Sequence, residues 1–222
     1  MHIASRLPVR RKPRQRRTER HTTATPRELR REPAPGLTIR HRHKLLSNRR
    51  SVIMNDFVLR GATSADAGAM LALLRSVASE GDSLPFMNDV ESGFIDSQWL
   101  GARGCVVACR GDLLLGMYRY GANMPGRGSH IATATFLVSR HSRGQGLGRA
   151  LVRHCIDSAR ASGFRAMQFN QVLATNTAAL SLYRSLGFKR VGRIPEAFAH
   201  PRDGYVTAYV MYLDLRQPRC GD

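Results

Sequence analysis

Glycines at 144, 146 and 148, flanked by Arg143 and Arg149, stand between an apolar run at 131–139 and an amphipathic segment at 146–162. A backbone stripped of Cβ atoms lets a bulky anion approach its N–H groups. A helix that begins inside such a loop aims its unpaired N–H donors and its positive dipole end at the same point. Arg143, Gly144, Gln145, Gly146, Leu147, Gly148 and Arg149 therefore make a candidate diphosphate site, with the two arginines adding charge. Charge-assisted hydrogen bonds contribute roughly 1.5–3 kcal/mol each, so a few converging amides suffice. Other readings of the loop fit less well. A Walker A loop ends Gly-Lys-Ser/Thr, and this one ends Gly148-Arg149-Ala150; a dinucleotide fingerprint has a third glycine where Arg149 stands. A glycine-rich turn without a ligand is the remaining alternative.

The elements that must hold this loop are set by periodicity. Residues 57–60 read as a short strand, and Thr63 with Asp66 caps a helix over 65–79. Asn88, Asp89 and Glu91 open a second helix running towards Leu100. Strands at 105–109 and 113–120 meet at the turn Arg110-Gly111-Asp112, and 131–139, apolar on both faces, is a central strand. Leu151, Val152, Cys155, Ile156 and Ala159 form the buried stripe of the helix after the loop, which Gly163 ends. Strand 166–173, helix 176–186 with Gly187 as its cap, and strands 188–194 and 205–213 complete the order βααβββαβαββ. The fold class is α/β, a mixed sheet with helices on its faces.

Charge is uneven along the 222 residues. Residues 1–53 hold 16 of the 35 Lys/Arg and 3 of the 16 Asp/Glu, so +13 of the formal +19 lies there. With few apolar residues this segment is expected to be disordered. It reads as a nucleic-acid or ribosome-binding arm, as a targeting peptide, which Glu19, Glu28 and Glu32 disfavour, or as the product of a start assigned upstream of Met54. The expected division is this segment, a domain over 54–216, and a tail over 217–222. Cys105, Cys109, Cys155 and Cys220 show neither metal-ligand spacing nor a disulfide framework, so no metal is expected, and a reducing cytoplasm is. No run approaches the roughly 18 apolar residues of a membrane span.

Arg143-x-x-Gly146-x-Gly148 after an apolar strand resembles the signature of the GNAT superfamily of N-acetyltransferases. The stretch NTAALSLYRSLGF, from Asn176 to Phe188, is similar to the family's second signature helix. The resemblance covers roughly 56–215 and implies a GNAT acyl-CoA N-acyltransferase fold in which the central strand splays from its neighbour. It implies acetyl-coenzyme A as cosubstrate, with Leu137 and Val138 offering backbone groups to the pantetheine arm, residues 143–149 holding the pyrophosphate, and Asn176 touching the coenzyme. It also implies Tyr183 as general acid; by pattern alone Tyr183 belongs to the apolar stripe of Ala179, Leu182 and Leu186.

Many members place a carboxylate on the central strand, where this chain has Thr133 and Thr135. Glu80 and Asp82 are the carboxylates available if a side-chain base is needed, and solvated loop charges otherwise. The Asn-x₅-Asn spacing of Asn170 and Asn176 resembles a subgroup that includes proline-analogue (imino-acid) acetyltransferases. There Asn170 would orient the acceptor or the acetyl carbonyl; a bulge-anchoring Asn is the alternative. His200 and Asp203, in the loop before the last strand, are expected to help line the acceptor pocket or else to be exposed. The first expectation is acetyl transfer to a small-molecule amine, with dimers common in the family. The second is acetylation of a protein or ribosomal N-terminus served by the basic arm. The third, a non-catalytic coenzyme- or nucleic-acid-binding module, sits poorly with Tyr183 and Asn176 both present.

Overall fold

A computed structural model describes residues 52–54, 56–85, 90–91 and 93–216. The basic segment up to residue 51, the helix opening at Asn88 and Asp89, and the tail with Cys220 lie outside the described residues.

The core is one eight-stranded sheet in the order β1-β2-β3-β4-β5-β6-β8-β7. Its strands are β1 (Val52–Met54), β2 (Phe57–Gly61), β3 (Gly104–Arg110), β4 (Leu113–Ala122), β5 (Ile131–Val138), β6 (Ala166–Leu173), β7 (Lys189–His200) and β8 (Gly204–Asp214). All neighbours are antiparallel except β5 and β6. One face carries α1 (Ala67–Glu80), the other α2 (Leu147–Ala161) and α3 (Thr177–Ser185). β1 is an addition to the expected order and straddles the boundary expected at Met54.

Local chemistry explains most of these elements. Ahead of α1, the Asp66 carboxylate accepts from the Thr63 N–H at 2.8 Å and its hydroxyl at 3.0 Å. Arg60 braces the same carboxylate at 2.7 Å and holds it down at about 2. Gly111, at φ 56°, supplies the left-handed residue of the β3–β4 turn. The second helix departs from the expected α geometry: Ile95–Leu100 is π-helical, closed by the Gly101 N–H on Asp96 O at 3.0 Å. The wide turn still buries Ile95 and Trp99 completely. β7 runs on past Ile194 to His200 through a bulge at Ile194/Phe198, with Glu196 at φ 50°. Pro195 removes a ladder donor, which an edge strand such as β7 tolerates.

Two packing features position the site. β5 and β6 pair at Ile131–Ala166 and Ala132–Met167 and diverge beyond, opening the sheet at its centre. Gly116 of β4 lets the first turn of α2 settle onto the sheet; a Cβ there would lie 2.9 Å from Leu137 O and 3.1 Å from Leu151 Cδ1. Gly116→Val is therefore expected to destabilise the fold by about 1–3 kcal/mol through overpacking against backbone, read as a lowered urea midpoint.

Candidate active site

The glycine loop leads directly into α2. Gly146 caps the helix at φ 81° with no side-chain cap, and the first intrahelical bond is Ala150 N–H to Gly146 O at 3.1 Å. The N–H groups of Leu147, Gly148 and Arg149 are thus left at the tip by helix geometry. Gly144 also has positive φ, 75°, and a Cβ on either Gly144 or Gly146 would meet nothing within 4 Å, so what demands glycine here is backbone conformation. The loop is braced: Gln145 Nε2 donates to His141 O at 2.8 Å, Ser139 Oγ to Ser142 Oγ at 2.9 Å, and Arg149 to Ser185 Oγ of α3 at 2.9 Å. Preformed amides at an uncapped helix tip suit the chemistry of a diphosphate. Leu147 contributes only backbone, its side chain being buried in the core.

Two cavities meet in the splay. The first, about 450 Å³, is bordered by Leu137 and Val138 of β5, Arg143 and Gly148 of the loop, and Asn176 and Tyr183 of α3. Asp82 and Ser83 enclose it on the α1 side, with His200 at the end of β7 and Arg202 and Asp203 of the β7–β8 turn on another. The second, about 270 Å³, is bordered by Thr133, Thr135 and Asn170 with Leu84, Pro85, Phe169 and Phe198. Ser83, Phe136, Asn176, Ala179 and Tyr183 face both.

Arg143, which borders the first cavity, is also paired within the protein. Its guanidinium grips Glu80, the last residue of α1, through two bonds of 2.7 and 3.0 Å, and its Nε donates to Val138 O at 3.3 Å. The charge of Arg143 is therefore matched by Glu80, and Glu80 lines neither cavity.

Tyr183 sits where the cavities join. Its ring packs on Phe169 at 4.7 Å and Phe188 at 5.6 Å, and the Phe169 ring stacks on Phe188 at 4.6 Å. No hydrogen bond to the Tyr183 hydroxyl occurs among the described residues, and burial pushes the phenol well above its ordinary value. The two buried tyrosines against α2 are committed elsewhere: the Tyr118 hydroxyl shares a hydrogen bond of 2.7 Å with His154 Nδ1 and one of 3.3 Å with Ser158, and the Tyr120 hydroxyl one of 2.9 Å with Ser162. His154 and Ser158 stand four apart on α2, but their partner comes from a distant strand, so sequence reasoning missed the cluster.

Asn176 caps α3, its Oδ1 accepting from the Ala179 N–H at 3.0 Å. Asn170 lies in a bulge of β6 between Phe169 and Val172, donating to Asn123 Oδ1 at 2.6 Å and accepting from Gln168 at 2.8 Å. The bulge reading of Asn170 and its place on the second cavity therefore hold together. His200 differs from expectation. It ends β7 rather than occupying a loop, is 6% exposed, and accepts at Nδ1 from the N–H groups of Arg202 and Asp203. With Asp203 it lines the first cavity, away from Thr133 and Thr135, because the longer β7 carries the turn to that side.

Cysteine chemistry is muted. Cys105, Cys109 and Cys155 are free, and burial raises all three thiols, Cys105 to about 12. Among the described residues no group of three His, Cys, Asp or Glu could hold a metal ion, and no helix is long and apolar enough to cross a membrane.

The model of the acetyltransferase (GNAT) family matches residues 74–188. A solved GCN5-related N-acetyltransferase from Kribbella flavida is 39% identical at a TM-score of 0.68, covering 72% of this chain and 98% of its own. N-acetyltransferase aca1 of Schizosaccharomyces pombe is 41% identical over 98 residues, 44% of this chain and 47% of its own. The ribosomal protein bS18-alanine N-acetyltransferase of Escherichia coli is 39% identical over 71 residues, 32% of this chain and 47% of its own. The chain thus matches about half the length of these two curated relatives.

Proposed function

Because this chain belongs to the acetyltransferase (GNAT) family, we propose that it moves the acetyl group of acetyl-coenzyme A to a primary or secondary amine of a small molecule, by direct attack. The observation that carries this reading is the shared wall at Tyr183. One cavity runs to the helix tip suited to a diphosphate, the other is a separate pocket, and the free phenol faces both.

In this reading the amides of residues 143–149 hold the pyrophosphate, Leu137 and Val138 offer backbone groups to the pantetheine arm, and Asn176 contacts the coenzyme from the cap of α3. Asn170, with Thr133 and Thr135, orients the acceptor or the acetyl carbonyl. The amine nitrogen forms a bond to the acyl carbon, the carbon–sulfur bond breaks, and Tyr183 gives its proton to the departing sulfur. Water carries the proton released by the amine back to the Tyr183 oxygen, which restores the acid. A free α-amine, with pKa about 7.7–8, is partly neutral at pH 7 and can react without a strong base. Among the described residues, the protonated thiols of Cys105, Cys109 and Cys155 argue against a covalent acyl-enzyme on any of the three.

A second reading, acetylation of a protein or ribosomal N-terminus, is favoured by the relatives named for ribosomal-protein alanine. Both readings are tested by an acetyl-coenzyme A turnover assay across amines, imino acids and peptides. Small amines turning over faster than peptides supports the first, and the reverse supports the second. Deleting residues 1–50, which leaves β1 whole, is expected to leave small-amine turnover unchanged. Loss of peptide turnover alone on that deletion would point to a basic arm serving the second. No turnover of any member removes both.

A further inference from the structure

The Glu80–Arg143 pair ties the glycine loop to the far end of α1. That helix ends at Glu80 with no basic residue in its last turn. A carboxylate at the negative end of a helix is disfavoured by the helix dipole, so this residue is poorly placed unless something pairs with it. Its partner is contributed by the glycine loop, 63 residues further along the chain. The contact is bidentate, which a planar guanidinium satisfies in one orientation, and the remaining Nε is spent on Val138 O at the end of β5.

Immediately after Glu80 the chain becomes a wall of both cavities. Gly81 turns the chain at φ 69° and lies so close to Pro201 that a Cβ would sit 3.1 Å from its ring. Asp82 then lines the first cavity, Ser83 both, and Leu84 and Pro85 the second. Residues 81–85 are tethered at their start by the Glu80–Arg143 fork on one side and the Pro201 contact on the other. Whatever immobilises Arg143 in the loop immobilises this wall as well.

Building on the proposed acetyl transfer, we infer that Glu80 is a positioning residue, coupling the coenzyme loop to the acceptor pocket through Arg143. Both its oxygens are engaged and it faces neither cavity, so it does not serve as the base. Coenzyme held at the α2 tip fixes Arg143, Arg143 fixes Glu80, and the acceptor wall at 83–85 is shaped before the amine arrives. The coenzyme loop and the acceptor wall at 83–85 then share a coupling free energy through the Glu80–Arg143 pair.

The test uses the full chain with coenzyme A as probe and measures hydrogen–deuterium exchange. Coenzyme A is expected to slow exchange of the amides at 81–84 by roughly fivefold or more, the low end of coupling between sites. Glu80→Gln, which keeps shape but removes the charge, is expected to bind coenzyme A by calorimetry and protect the loop at 144–149, yet lose the slowing at 81–84. With an amine shown to be acetylated, the same variant is expected to raise the acceptor KM about fivefold with kcat within about twofold. Equal slowing in native and variant chains overturns the inference, as does a roughly 10²-fold fall in kcat at unchanged KM, the mark of a lost base. Failure of the native chain to bind coenzyme A overturns the proposed function. Binding without slowing at 81–84 overturns the coupling alone.

Discussion

Tyr183→Phe is expected to lower kcat by about 10²–10⁴, the usual contribution of a general acid, while coenzyme A affinity measured by calorimetry stays within about threefold. The departing group is a thiolate whose conjugate acid lies near ~8.5, and a phenol near ~10 can donate a hydrogen bond or proton to it as the charge develops. Burial raises the Tyr183 phenol further, so it remains protonated throughout the neutral range. Loss of rate from its ionisation is therefore expected only above pH ~10, the unperturbed phenol value. The fold should tolerate the change, since no described residue bonds the hydroxyl and the ring contacts with Phe169 and Phe188 remain. Tyr118→Phe is the control. It cuts the bond to His154, a neutral pair that contributes roughly 0.5–1.5 kcal/mol, and should lower stability with little effect on turnover. Unchanged kcat in Tyr183→Phe would remove the acid role and leave the tyrosine as a core residue.

Gly146→Val is expected to weaken coenzyme A binding by about 10²-fold or more. Gly146 holds φ 81° at the cap of α2, a conformation that costs a β-branched residue on the order of 1–3 kcal/mol. Space is not the obstacle, because nothing lies within 4 Å of a Cβ there. The chain relieves the strain by rotating the peptide planes of the first turn, which turns the Leu147 and Gly148 amides off target. Losing the aim of one or two charge-assisted bonds, at roughly 1.5–3 kcal/mol each, gives an effect of this size. Calorimetry on the purified variant measures it, and affinity unchanged from the native chain would mean that the anion is held elsewhere. Gly148→Ala provides the contrast. A Cβ there meets only Leu182 Cδ2, at 3.7 Å, and helical φ suits alanine, so stability should hold.

Several features were legible in the sequence because they are local. The Thr63–Asp66 cap, the turn at Gly111, the glycines that put an uncapped helix tip after an apolar strand, and the Asn176 cap of α3 each depend on residues within a few positions of one another. The π-helical turn at Ile95–Leu100 was not legible: an apolar pair four apart suits α and π geometry alike, and burial of Trp99 and Ile95 against the sheet decides between them. The extension of β7 to His200 was hidden by Pro195, whose cost depends on whether its strand is an edge, a property of sheet order. His200, expected in a loop, is buried for the same reason.

The residue types able to bind an anion and to donate a proton, together with the order of strands and helices around them, were determined by the sequence itself, since periodicity and backbone chemistry act over short spans. Tertiary structure alone decided which groups are free to act. Arg143 and Glu80 are 63 positions apart and neutralise each other, whereas the Tyr118 hydroxyl finds partners on α2 and no described residue bonds that of Tyr183. The divergence of β5 from β6 after two residue pairs puts the free hydroxyl at the junction of two cavities. Such pairings arise from contacts between distant segments, and no spacing along the chain encodes them.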